Sequence, residues 1–273
     1  MRPTRPLRVG SVPYLVGRPL DIGLENEPGI ELVREIPARL VEMLRAGELD
    51  VALVSSIELF RQPGYRYIPG IAVSGAGHVA SVQLFLRKPV AEVRTVALDP
   101  ASRTAATLIR VLLEEREGGA PDFVETAAGH DPREAGTDAW LRIGDPAMRE
   151  TFEPGAHDVF NPSEEWTART GLPFVFAPWI VREGIDLSDH IAAFPRSRDL
   201  GRRMLSEFAA QGAAEWNVPA RAYAHYFFEQ LVYDPGDLMQ QALYTFRDRA
   251  AQLGLCEPHH APQAVELGEA KNA

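Results

Sequence analysis

Ser102, Arg103 and Thr104 place a guanidinium between two hydroxyl groups, directly after a turn at Asp99-Pro100. A short apolar run ends at this turn and apolar residues with helical spacing follow it, so we expect a strand, a turn and a helix N-terminus. The first turn of a helix presents unpaired N–H groups at the positive end of the helix dipole, where carboxylates and phosphates bind. Ser102 or Thr104 could equally be a simple helix cap. The arginine between them favours a carboxylate-binding site.

Asp145 follows another predicted strand, which ends at Ile143-Gly144. Its carboxylate is a candidate general acid or base. A helix cap is the alternative interpretation, because Pro146 would then take the favoured first helical position. In the first half of the chain, polar side chains follow the predicted strand ends at Tyr14, Ser55 and Ser56.

Two series of alternating strands and helices must position these groups. The first series covers residues 7–55 and the second covers residues 96–145. Each series predicts a parallel sheet, whose ligand edge lies at the carboxyl ends of the strands. The apolar residues 171–181 predict a long strand that returns to the first lobe, and amphipathic helices follow. The polar residues from Glu257 onward predict a frayed tail.

The composition limits the class of protein. The chain has 273 residues, of which 45% are hydrophobic, and its formal net charge is −10. An acidic chain is an unlikely partner for nucleic acid, which binds basic surfaces. The single cysteine, Cys256, cannot form an internal disulfide. Because the sequence has neither the apolar core of a secretory signal nor a run of membrane-spanning length, we expect a cytoplasmic protein without a membrane partner.

Six stretches resemble the chorismate dehydratase family of the futalosine route to menaquinone. They occur in order along the chain, at residues 10–20, 44–58, 80–84, 97–104, 143–145 and 170–179. The resemblance implies an α/β fold of the type II periplasmic-binding-protein class, with a ligand cleft between two lobes and C-terminal helices on lobe 1. We assign residues 1–87 and 183–273 to lobe 1, and residues 88–182 to lobe 2.

The family removes water from chorismate to give 3-(1-carboxyvinyloxy)benzoate. A ring proton and the neighbouring hydroxyl leave, and the ring becomes aromatic. The resemblance implies that this hydro-lyase needs no metal and no organic cofactor, and that its partner is a small carboxylate, chorismate. The proton acceptor stays open between Asp145 and a carboxylate of the substrate. The implied substrate-binding residues are Tyr14, Val16, Arg18, Ser55, Ser56, Ser81, Ser102, Arg103 and Thr104.

Val16 is a departure from the family pattern, which commonly has asparagine at this position. An apolar side chain cannot donate the amide hydrogen bond, and losing a hydrogen bond to a charged group costs on the order of 1.5 to 3 kcal/mol. Either a neighbour such as Tyr14 or Arg18 replaces that contact, or the activity is altered.

Two alternative functions stay open on the sequence alone. One is 1,4-dihydroxy-6-naphthoate synthase, a later enzyme of the same pathway with the same fold. The other is a non-catalytic protein that binds small carboxylates. The oligomeric state is also open, with a homodimer among the options.

Overall fold

The computed structural model describes residues 5–101, 103–116, 119–127, 129–153, 155 and 157–266. The strands in these residues are β1 (Leu7–Ser11), β2 (Ile30–Arg34), β3 (Val51–Leu53), β4 (Arg66–Gly75), β5 (Val82–Leu86), β6 (Thr95–Leu98), β7 (Asp122–Glu125), β8 (Ala139–Ile143), β9 (Asp158–Phe160), β10 (Phe174–Val181), β11 (Leu231–Val232) and β12 (Gln263–Ala264).

The α-helices in the same residues are α1 (Arg18–Asp21), α2 (Pro37–Arg45), α3 (Glu58–Arg61), α4 (Arg103–Glu114), α5 (Gly144–Thr151), α6 (Pro162–Thr170), α7 (Ala193–Arg203), α8 (Leu205–Trp216), α9 (Ala220–His225) and α10 (Leu238–Gln252). A π-helical turn, Tyr226–Gln230, continues α9 into β11. Among the described residues, no helix combines the length and the apolar character needed to cross a membrane.

The first sheet contains strands from both ends of the chain. Its order is β11-β4-β10-β3-β1-β2, and β12 pairs with β4. β1 lies parallel to β2 and β3, as the alternating strands and helices predict, whereas β10 runs antiparallel to β3 and β4. The strand that was expected to return to the first lobe is therefore present as β10.

The second sheet has the order β7-β6-β8-β5-β9. β6 is parallel to β7 and β8, and β5 is antiparallel to β8 and β9. The carboxyl ends of β6 and β8 lead directly into α4 and α5, so both helix N-termini lie at the same edge of this sheet.

Two strands lie in a different sheet from the one that the predicted lobe boundaries give them. β5 precedes the boundary at residue 87 but pairs with β8 and β9, and β10 precedes the boundary at residue 182 but pairs with β3 and β4. Every residue of β5 is buried, so its apolar run fits the centre of either sheet and periodicity alone could not assign it. The chain crosses within residues 76–81 and returns within 161–173; the division of the other residues into two lobes stays a prediction.

The C-terminal helices pack on the first sheet. α7 contacts α1 and β4, and α10 contacts β4, β10 and α4. The expectation of a frayed tail from Glu257 is wrong for the residues described up to position 266. β12 lies beside β4, and the N–H of the buried Val265 donates to the carbonyl of Tyr67.

Candidate functional site

A cavity of about 80 Å³ lies at the junction of the two sheets. A single water needs roughly 10–15 Å³, so the cavity has room for several waters or a small organic group. Its walls come from the ends of β1, β3 and β8, from β4 and β10, and from the first residues of β5. The lining residues are Val12, Tyr14, Val16, Pro37, Leu53, Val54, Ser55, Val73, Ser81, Val82, Ile143, Gly144, Phe176 and Ala177.

Three hydroxyl-bearing residues stand out in this mostly apolar lining: Tyr14, Ser55 and Ser81. Each follows or precedes a different strand, and each belongs to a different sequence stretch. Tyr14 and Ser55 were predicted to lie at one ligand edge, and the structure places Ser81 in the same lining. A few polar groups in an apolar cavity are typical of small-molecule sites, because they orient the ligand while the walls exclude water.

Tyr14 packs against the start of α5. Gly144 adopts a left-handed conformation (φ 68°), and a Cβ built on it would lie 3.6 Å from the Tyr14 ring, so the backbone approaches the ring closely. Burial, reinforced by the nearby carboxylates of Asp99 and Asp145, raises the pKa of Tyr14 to about 12. The phenol therefore stays protonated at neutral pH and is a hydrogen-bond donor.

Asp145 connects the two sheets but does not line the cavity. Its carboxylate accepts hydrogen bonds from the backbone N–H of Leu15 and from the hydroxyl of Tyr223, whose oxygen lies 3.4 Å away. Burial, together with nearby Glu215, raises the pKa of Asp145 to about 6 despite the opposing effect of these two hydrogen bonds. The interpretation of Asp145 as a helix cap is wrong, because α5 already begins at Gly144 and Asp145 lies in its first turn.

Asp99 follows the end of β6 in the second sheet, and its carboxylate binds two backbone N–H groups. Its two oxygens accept from the backbone N–H of Ala101 at 2.9 Å and of Ile143 at 3.1 Å. One carboxylate thereby fixes the turn into α4 and joins it to the end of β8. In the sequence Asp99-Pro100 indicated only a turn, and this role of Asp99 was not predictable because Ile143 is remote in sequence.

Arg103 and Thr104 face α3 and do not line the cavity. Arg103 lies 3.6 Å from the fully buried carboxylate of Glu58, and the Thr104 hydroxyl accepts from the N–H of Ile57 at 3.4 Å. Arg45 and Arg61 also pair with Glu58. Glu58 and these three arginines, here called the Glu58 cluster, carry three positive charges and one negative charge.

The remaining predicted residues lie in several environments. Val16 lines the cavity, whereas Arg18 pairs with Asp21 at 2.9 Å on α1. Ser56 is fully buried, and its N–H donates to the carbonyl of Phe176. Ser102 lies outside the described residues.

Most of the apolar lining was not predicted from the sequence. Phe176 and Ala177 were predicted only as part of the returning strand, and no role in the site was predicted for Val73 or Val82. The signal that could have found them is position, since they lie in the strand residues next to the stretches where the chain crosses between the two sheets.

The fold is similar to those of solved binding proteins. A protein from Archaeoglobus fulgidus has a TM-score of 0.71 at 15% identity, covering 93% of this chain and 100% of that one. The alkanesulfonate-binding protein SsuA from Xanthomonas axonopodis pv. citri has a TM-score of 0.63 at 15% identity, over 93% and 94%. SsuA from Escherichia coli, which binds aliphatic sulphonates, has a TM-score of 0.64 at 17% identity, over 97% and 95%. The chain therefore has the periplasmic-binding-protein fold, and the predicted fold class is confirmed.

Sequence similarity identifies the family within this fold. Residues 7–252 match the family described as menaquinone biosynthesis. A chorismate dehydratase from Thermus thermophilus is 31% identical over 241 residues, which are 82% of this chain and 88% of that protein. The chain belongs to the menaquinone biosynthesis family, which confirms the resemblance seen in the sequence.

The raised pKa of Asp145 predicts how stability depends on pH. In the unfolded chain the carboxyl titrates near its ordinary value of 3.8, and in the folded protein near 6. The folded state therefore holds the proton more tightly, and the stability that this adds below pH 4 is lost as the pH rises through 6. Two pKa units correspond to about 3 kcal/mol.

Asp145→Asn keeps an oxygen acceptor for Leu15 and Tyr223 but does not titrate. We expect the wild type to lose about 2 to 3 kcal/mol of unfolding free energy relative to this variant between pH 4 and pH 7. Urea unfolding of both proteins across this range measures the difference. Parallel stability curves would contradict the raised pKa.

Proposed function

We propose that this chain is a chorismate dehydratase, a hydro-lyase that converts chorismate to 3-(1-carboxyvinyloxy)benzoate and water. One observation carries the proposal: Tyr14, Ser55 and Ser81 come from three separate stretches that resemble this family, and they line one cavity. The Thermus thermophilus relative, which is itself a chorismate dehydratase, extends the similarity over most of the chain.

The cavity suits a ring that carries polar substituents. Val54, Val82 and Phe176 supply apolar walls, and the hydroxyls of Ser55 and Ser81 supply hydrogen bonds. Since aromatisation favours the reaction, the protein mainly has to hold chorismate in a geometry for elimination and exclude water. The protonated Tyr14 hydroxyl donates a hydrogen bond to the departing oxygen.

We assign the proton acceptor to a carboxylate of the substrate. Among the described residues that line the cavity there is no Asp, Glu, His or Lys, and Asp145 is engaged with Leu15 and Tyr223. The ring proton passes to the substrate carboxylate, the ring C–O bond breaks, and the hydroxyl leaves with that proton as water. Asp145 then acts by holding the Tyr14–Val16 turn in place.

The Glu58 cluster supplies attraction for the second carboxylate of the substrate. Its three arginines and one glutamate leave two positive charges in a protein whose net charge is −10. Thr104 places the start of α4 beside Ile57, two residues after Ser55 of the cavity. Arg103 is a third exposed and 3.6 Å from Glu58, so its guanidinium keeps donors for a ligand.

Three further predictions remain part of the proposal. A cytoplasmic location and a homodimer stay predictions, and so does the binding of Arg18, Ser56 and Ser102 to substrate. Chorismate is the proposed partner, and the acidic charge of the chain argues against nucleic acid.

The direct test is to incubate the purified protein with chorismate and to follow the products by mass spectrometry. We expect a product that has lost one water from the wild type, and a rate at least tenfold lower for Ser81→Ala, which lacks a hydrogen-bonding group of the cavity. Asp145→Asn is the matched control, and we expect it to keep a rate within about tenfold of the wild type.

A loss of about a thousandfold in a folded Asp145→Asn protein would make Asp145 the proton acceptor, because general bases contribute roughly 10² to 10⁴ in rate. Tight binding of chorismate without turnover would show that the chain is a binding protein.

Arg103→Ala is expected to raise the KM for chorismate at least tenfold with a smaller change in kcat, because a charged hydrogen bond contributes about 1.5 to 3 kcal/mol. Arg45→Ala is the control, since it removes another partner of Glu58 from α2 and leaves α4 unchanged. Equal effects of the two variants on KM would assign the loss to the Glu58 cluster as a structure and remove Arg103 from the binding site.

Val16→Asn restores the residue that the family commonly has in this cavity. We expect unchanged or higher kcat/KM, because the amide can donate to a substrate oxygen. Steady-state kinetics with chorismate measure the change. A tenfold loss in a folded variant would show that the cavity is adapted to an apolar residue at this position.

A further inference from the structure

Ser81 lies on the short segment that crosses from β4 to β5, and the backbone before it is held by a remote side chain. The N–H of Ala80 donates to Oε1 of Gln230 at 2.8 Å. Gln230 lies about 150 residues later, at the end of the π-helical turn. This hydrogen bond joins the C-terminal part of the chain directly to the residue that precedes a cavity hydroxyl.

Further hydrogen bonds fix the backbone on both sides of Ser81. The Ser81 carbonyl accepts from the N–H of Gly144 at 2.8 Å. The buried Asn161 amide donates to the carbonyls of Val79 at 2.9 Å and of Val82 at 3.2 Å, and its oxygen accepts from the Val79 N–H. With these bonds in place, the Gln230 bond completes the restraint of the crossing segment.

The π-helical turn explains how Gln230 reaches this place. π-helical turns are rare and occur frequently at functional sites. Tyr226 begins the turn and is almost fully buried. Immediately after Gln230, Leu231 pairs with Gly75 at the end of β4. The turn therefore returns the chain to the start of the crossing segment with the Gln230 side chain aligned on Ala80.

We propose that Gln230 is a positioning residue, which fixes the Ser81 hydroxyl for its hydrogen bond to the substrate by accepting from the Ala80 N–H. Its role in turnover rests on the proposed function. Gln230 itself does not line the cavity among the described residues, so it acts through Ser81 and not on the ligand. A displacement of about 1 Å at a reacting centre can cost roughly a hundredfold in rate.

Two substitutions separate the acceptor from the shape of the side chain. Gln230→Met keeps the length of the side chain but has no strong acceptor, and Gln230→Glu keeps an oxygen at the same place. We expect Gln230→Met to lower kcat/KM for chorismate about tenfold to a hundredfold, and Gln230→Glu to stay within about threefold of the wild type. Thermal unfolding of both variants confirms that they are folded.

A double-mutant cycle with Ser81→Ala tests whether the effect passes through Ser81. If it does, Gln230→Met lowers kcat/KM in the wild type but has almost no effect once the Ser81 hydroxyl has been removed. Multiplicative losses in the double variant would overturn the positioning role, because they would show that Gln230 acts independently of Ser81.

The exchange of the Ala80 amide with deuterium, followed by NMR without ligand, tests the restraint separately from the activity. We expect protection in the wild type and in Gln230→Glu, and exchange at least tenfold faster in Gln230→Met. Equal protection in all three proteins would overturn the inference even if chorismate is turned over. If the exchange differs but the wild type does not dehydrate chorismate, the restraint stands and the proposed function fails.

Discussion

The arrangement of the two sheets depends on the hydrogen bonds of one buried side chain, the amide of Asn161. Its oxygen caps α6 by accepting from the N–H of Glu164 at 3.0 Å and also accepts from Val79, and its nitrogen donates to Val79, Val82 and Gln83. One group therefore fixes both the outgoing and the returning crossing. An unpaired polar group at this depth would cost about 1 to 3 kcal/mol, so these bonds strongly favour a single register.

The position of the cavity at this junction determines which residues line it. Because its walls come from two sheets, no single element determines its chemistry, and the start of α5 contacts the segments that carry Tyr14 and Ser81. Gly144 donates to Ser81 and packs against Tyr14, while Asp145 accepts from Leu15. An acidic chain must attract an anionic ligand locally, and the Glu58 cluster provides positive charge beside the β3–α3 turn.

The fold class and the ligand edge were predictable from the sequence because both depend on local patterns. The alternation of strands and helices located β1 to β3, and strand ends located Tyr14 and Ser55. What the sequence could not predict depends on remote pairing. The residues 82–86 are buried on both faces, so their pattern did not indicate which sheet they join. The polar composition of the C-terminal residues gave no sign of β12, a strand that forms by pairing with β4.

The site illustrates the same limit at the level of side chains. Residue type suggested a substrate carboxylate as the partner of Arg103, and a catalytic or helix-capping role for Asp145, but it could not give the protein partners that the structure shows. Glu58 and Leu15 are distant in sequence from these residues and come from the other sheet. Nothing in the sequence indicated a role for Gln230. A glutamine at the end of an aromatic-rich helix is common, and its contact with Ala80 exists only in the folded protein.

The central claim is that the junction cavity is the place where substrate is converted. A crystal structure of the protein with 3-(1-carboxyvinyloxy)benzoate tests it most directly. The account predicts that the aromatic ring lies between Val54, Val82 and Phe176, with its oxygens within hydrogen-bond distance of Ser55, Ser81 and Tyr14. Ordered product at another position, with this cavity empty, would contradict the account.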